Sequence, residues 1–261
     1  MENNQVVVKD NKIIQASYRL TLVEQRLILA AIAQIDSTKE LTEAHGFTIH
    51  VSEIRDLITS SSAYTDVKRA VDQLYNRTIT IDGDGSERRW IYEKRYNKKQ
   101  GSVTIFFSPT LIPYLSQLKS NFTKYRLEWV KRFSSQHSIR IYELLVQWQS
   151  KGEREVELDW LKGVLQLEDK YARTNNFLQR VIKPSVAEIN EHSNLNVTFG
   201  VRKSGRTITH IQFKFNLKQE DVKTSKPQMN IDRFVRDNPG ITKGKTTQEV
   251  IAMMSKKTPK V

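Results

Sequence analysis

Residues 173–192, RTNNFLQRVIKPSVAEINEH, separate into two faces when wound at about 3.6 residues per turn. Phe177, Leu178, Val181, Ile182, Ser185 and Ile189 cover one side, with Val186 at its edge. Asn176, Gln179, Arg180, Lys183, Ala187 and Asn190 share an arc of roughly 100° on the other. The first face suits a small core. The second carries long cationic or amide side chains, with no acid before Glu188 and Glu191. Such groups match phosphate oxygens and the base edges of the major groove. An ordinary solvated helix has the same pattern, so the neighbours must decide. Pro184 complicates the helix, because it has no amide to donate and pushes the residue before it away from α geometry. The helix either kinks there or is two helices.

What surrounds this stretch narrows the choice. A helix is expected over 134–149, burying Ile139, Tyr142, Leu145, Val146 and Trp148 and ending at Lys151-Gly152. A strand over 155–158 and a short helix capped by Asp159 follow. After the two-faced stretch come a strand at 195–201, a tight turn Lys203-Ser204-Gly205-Arg206, and an alternating strand at 207–215. Helix, turn, helix and hairpin is the winged-helix order.

The first half repeats it. Thr21 and Glu24 form a capping box for a helix that buries Leu22, Ile28, Leu29, Ile32 and Ile35. A strand at 47–50, a short helix capped by Ser52 and a serine turn at 60–62 lead to a helix at 64–74. That helix turns Val67, Ala70, Val71 and Leu74 inward. A strand at 78–81, a turn at 82–85 and a hairpin of 90–96 with 102–107 complete the pattern. Ile49-His50-Val51-Ser52 occupies the place of Val156-Glu157-Leu158-Asp159. Little residue identity accompanies this correspondence. The expectation is an α+β chain of two tandem winged-helix domains, 1–127 and 128–217. The basic stretch 218–261, punctuated by Pro227, Pro239 and Pro259, is expected to be a flexible extension.

Charge supports a polyanionic partner: the 261 residues carry a formal net charge of +13. Apolar residues make up 38%, enough for packed cores, and no run approaches the roughly 18 needed to cross a bilayer. The first residues lack the basic start and apolar run of a secretory signal, and cysteine is absent, so a cytoplasmic protein is expected. No enzyme site emerges. The five histidines, His45, His50, His137, His192 and His210, have no short metal-ligand spacing. No basic or metal constellation accompanies the tyrosines. The segment Gly240-Ile-Thr-Lys-Gly244-Lys245-Thr246 has three residues where a phosphate loop needs four, and no strand precedes it. No catalytic residue, metal or cofactor is therefore expected.

Arg180 and Lys183 are the leading candidates for duplex contact, with Gln179 beside them. Asn175 and Asn176 suit either helix capping or DNA contact. Arg202, Lys203 and Arg206 suit phosphates or the minor groove beside a wing.

Three stretches carry a family resemblance: NKIIQASYRLTLVEQRLIL, FSSQHSIRIYELL and, most specifically, FLQRVIKPSVAEINEHSNLNVTF. Through them the chain resembles the iteron-binding replication initiators of theta-replicating bacterial plasmids, the Rep-3 type, over about residues 8–217. The resemblance implies a protein that binds direct repeats at a plasmid origin as a monomer, helps open AT-rich DNA, and recruits the host initiator and replicative helicase. It also implies a monomer–dimer equilibrium, the dimer repressing its own gene at an inverted repeat. The C-terminal domain would read the major groove from residues 175–183. The N-terminal one would add backbone contacts, through Lys68 and Arg69, and support dimerisation. Asp66 and Asp72 on the same helix make it the poorer electrostatic match. A winged-helix repressor without an origin function needs the same DNA surface and remains open. A basic protein that binds anionic surfaces is the less favoured reading, followed by an enzyme acting on DNA.

Overall fold

The computed structural model describes residues 5–54, 63–81 and 86–218. The expected turns at 60–62 and 82–85 and the extension beyond 218 lie outside them. Among the described residues no helix is long and apolar enough to cross a membrane.

Two modules of the same topology lie within one compact unit, Met1–Asn216. In the first, helix α2 (Leu22–Ile32) starts at the Thr21–Glu24 capping box. Strand β2 (Phe47–His50) runs straight into α3 (Val51–Ile54), and α4 (Ala63–Leu74) follows. The hairpin is β5 (Ile91–Asn97) with β6 (Ser102–Phe107). In the second, α6 (Gln136–Val146) comes first and β8 (Glu153–Glu157) runs straight into α7 (Leu158–Val164). A long helix (Thr174 to His192) and the hairpin β9 (Leu195–Ser204) with β10 (Thr207–Leu217) complete it.

The sheets show the equivalence. Their strand orders are β2-β6-β5 and β8-β10-β9, so in each the strand before the helices pairs with the last, which pairs with the middle one. Each module is thus a winged helix. The first adds a ribbon of β3 (Thr78–Thr80) with β4 (Glu87–Arg89).

Periodicity explains the cores. On α4, Ala63, Val67, Ala70, Val71 and Leu74 recur at helical spacing and are buried against α2. On β10, Ile211, Phe213 and Phe215 are buried while Gln212, Lys214 and Asn216 between them face out. Several local expectations shift. The α2 core includes Leu27 and Ala31, whereas Leu22 and Ile35 are half-buried. Helix α6 stops at Val146, so Trp148 falls beyond it and is exposed. Helices α3 and α7 begin one residue ahead of Ser52 and Asp159, so neither side chain is the cap.

The modules are joined by a buried polar cluster centred on α6. Strand β1 (Val6–Asp10) pairs antiparallel with β7 (Phe122–Arg126), turning Val7, Lys9, Thr123 and Tyr125 inward. There the Glu143 carboxylate takes an ion pair from Lys9 and a hydrogen bond from the Tyr125 hydroxyl. Arg140, one turn earlier, lies 3.6 Å from Glu143, donates to the Ala16 carbonyl at 2.7 Å and sits 3.8 Å above the Tyr18 ring. Burial pushes the Lys9 ammonium below its ordinary range against the pull of Glu143, and pushes the Tyr125 phenol well up. A buried pair costs several kcal/mol to break from one side only. Glu143→Gln is therefore expected to lower the unfolding free energy by about 3–5 kcal/mol in urea titrations, because it leaves Lys9 charged and unmatched. A loss below about 1 kcal/mol would show that this cluster does not hold the modules together.

Candidate nucleic-acid interface

The two-faced helix is continuous through the proline. It begins as α8 (Thr174–Phe177), passes through a π-helical turn at Leu178–Ile182, and continues as α9 (Lys183–His192). Backbone angles stay right-handed helical at the junctions, with Lys183 at φ −59°, ψ −47°. In the π turn the Lys183 amide donates to the Leu178 carbonyl, five residues back instead of four. Pro184 follows, where the helix ladder is already displaced.

Two effects disfavour a regular helix here. A proline in a regular helix interior costs about 3 kcal/mol. Straightening the helix at fixed length would rotate one half against the other by about 100°. That rotation would bring buried groups such as Phe177 or Ile189 toward water at about 1.5–3 kcal/mol each. Both are now fully buried, as is Ile182, with Val181 and Ser185 nearly so. The summed burial outweighs the proline, so core packing holds the π turn.

Asn175, Asn176, Gln179, Arg180 and Lys183 are all exposed. The N-cap position is Arg173, and the helix starts at Thr174, so neither asparagine serves as the cap. Arg180 and Lys183 have no carboxylate within ion-pair distance among the described residues. Lys170 and Arg173 add exposed charge to the segment entering α8; Lys170 precedes the periodic stretch and Arg173 opens it, ahead of the first residue assigned to either face. Asn190 behaves differently from its place on the polar arc. Half-buried, it donates to the Val197 carbonyl at 2.9 Å and accepts from the Val197 amide at 2.6 Å, clamping helix to wing.

The wing turn is made possible by Gly205, at φ +58°. Lys203 and Arg206 stand exposed at its tip without a partner among the described residues. Arg202, nearer the root, is tied to Glu155 on β8 at 2.9 and 3.0 Å, and Gln212 donates to the other Glu155 oxygen at 2.7 Å. Those bonds hold the Glu155 carboxyl below its usual range.

The corresponding helix of the first module is electrostatically compensated. Arg69 pairs with Asp66 on α4, and Asp72 pairs with Lys94 of β5 while accepting from the Tyr96 hydroxyl at 2.8 Å. Lys68 lies 5.6 Å from the Tyr96 ring centre. Both Lys68 and Arg69 are exposed. The first wing turns at Gly101, φ +57°, with Lys98 and Lys99 exposed beside it.

Two winged helices in tandem, one with an exposed cationic helix and wing tip, define a nucleic-acid-binding class of protein. Residues 6–146 match the family described as Initiator Replication protein, WH1, and residues 157–215 the one described as Initiator Rep protein, WH2. The chain belongs to this family of plasmid replication initiators. A replication initiation protein from Escherichia coli is 30% identical over 249 residues, covering 88% of this chain and 77% of the relative. The PI protein of Escherichia coli is 26% identical over 254 residues, covering 81% and 82%. Among solved structures, the Pi initiator protein in complex with iteron DNA superposes with a TM-score of 0.72 at 24% identity, covering 84% of this chain and all of that one.

Proposed function

We propose that this initiator binds directly repeated double-stranded sites at a plasmid origin and reads them chiefly with the helix that begins at Thr174. The carrying observation is the contrast between the two modules. On the second, Arg180 and Lys183 are exposed without an acidic partner among the described residues, whereas on the first Arg69 and Lys94 are paired with Asp66 and Asp72. Free cations and amides on a helix suit phosphates and purine edges, while a compensated face suits weaker, sequence-independent contact. The iteron DNA in the Pi initiator complex supports the choice of target.

The division of labour follows. Residues 128–217 form the principal reading module, with Asn175, Asn176, Gln179, Arg180 and Lys183 in the major groove and Arg202, Lys203 and Arg206 at the wing. Residues 1–127 add backbone contacts through Lys68 and Arg69 and support dimerisation. The protein acts by binding in the cytoplasm, opening adjacent AT-rich DNA and recruiting the host initiator and helicase, without catalysis of its own. A dimeric form represses its own gene.

Arg180→Ala with Lys183→Ala is expected to reduce the preference for repeat-bearing over scrambled duplex, each lost base contact being worth about 1–3 kcal/mol. Titrations at fixed salt that show unchanged affinity and preference would refute the assignment. At the wing, Lys203→Ala with Arg206→Ala is expected to weaken binding to all duplexes and to flatten the salt dependence by about 1.8 in log–log slope. Arg202→Ala should flatten it by less than 0.9 or so, because Glu155 already compensates that charge. Slopes equal to the parent's in the double variant would remove the wing tip from the interface.

A further inference from the structure

On a straight α-helix the buried residues of the long helix would spread over about half its circumference. At about 100° per residue, Phe177 and Ile189 would lie about 120° apart, and Val186 would lie opposite Phe177. Glu188 would fall about 20° from Phe177, inside the arc between Phe177 and Val181. Instead Phe177 and Ile189 are both fully buried, Val186 is nearly so, and Glu188 is half-buried and accepts from the Ser134 amide at 3.0 Å. Allowing one surplus residue in the π turn takes about 100° off every position from Lys183 onward. Phe177 and Ile189 then align to within about 20°, Val186 joins their stripe, and Glu188 moves to its rim. Asn190 arrives at the opposite rim, where it clamps Val197.

The same rotation reorders the outer face. On a straight wheel Lys183 lies about 60° from Arg180. With the surplus residue, its 100° or so taken up gradually across Leu178–Ile182, Lys183 swings away from Arg180 to about 20° from Asn175 and about 30° from Gln179. The result is two rows, Asn175–Gln179–Lys183 and Asn176–Arg180, running along the exposed side.

We infer that the π turn is a register device for DNA reading. The core counts one residue fewer than the chain supplies, and the surplus is stored where it aligns Lys183 with Asn175 and Gln179. Pro184 is tolerated there because the displaced ladder no longer calls on an amide at that position. Pro184 and the turn act by positioning; the side chains in the rows make the contacts. This inference rests on the reading of that face as the base-contacting one.

The test removes the surplus residue. Deletion of Pro184, which is exposed and outside both rows, leaves a count that a straight helix satisfies with Phe177, Ser185, Val186 and Ile189 all still aligned. Every cation is retained, so affinity for scrambled duplex and its salt slope should stay at the parent's values. Preference for repeat-bearing duplex should fall about tenfold or more, the scale of one good base contact. A cooperatively melting variant with undiminished preference would overturn the inference. Pro184→Ala alone keeps the residue count, so the turn and the preference, within about twofold, should both persist. A tenfold loss in that variant would show that the proline sets the register, and would equally overturn it. If Arg180→Ala with Lys183→Ala leaves preference intact, the base-contacting reading fails. If that pair lowers preference and the shortened helix does not, the register inference alone fails.

Discussion

Glu143 has no exposed surface, yet it sits where three structural parts of the chain meet. Its carboxylate is satisfied by Lys9 from the first strand and by Tyr125 from the strand that closes the first module, with Arg140 alongside on the same helix. An uncompensated charge there would be prohibitive, so α6 has one acceptable position against β1 and β7. Helix α6 in turn packs against α9, the core-facing half of the long helix. The orientation of the second module's long helix is therefore tied to a buried ion pair formed by residues 134 positions apart.

From that frame the electrostatics divide the modules. The first spends its helix charges internally: Asp66 with Arg69, Asp72 with Lys94. The second keeps Arg180, Lys183, Lys203 and Arg206 outward and ties down only Arg202. Among the described residues, two copies of one topology thus present one helix whose charges are largely paired and one whose charges are not. Duplex DNA responds to that difference, since each released counterion requires a cation that is not already paired.

Much of this architecture was legible in the sequence because it obeys local rules. The capping box at Thr21 and Glu24, the alternation along β10 and the helical spacing of Val67, Ala70, Val71 and Leu74 are each set by neighbours within a turn or a strand. Trp148 was misplaced because its spacing continued the α6 pattern past the point where the helix ends. Nothing in the residues around Lys9 marks it as a core position, since only its distant partner Glu143 makes it one. The π turn was beyond a wheel drawn at uniform pitch, and Pro184 was its one local trace. For the same reason Asn190 seemed to belong to the outer arc, although the added rotation carries it to the wing. For the candidate contact residues the structure supplies what composition does not: which of their charges are already paired among the described residues.

The central claim is that this pair of modules recognises repeated origin DNA through the second. Footprinting the purified protein across plasmid origin DNA tests it most directly. The account predicts protection of evenly spaced direct repeats beside an AT-rich segment. Protection confined to a single isolated promoter operator, with no repeats occupied, would contradict it and favour a repressor.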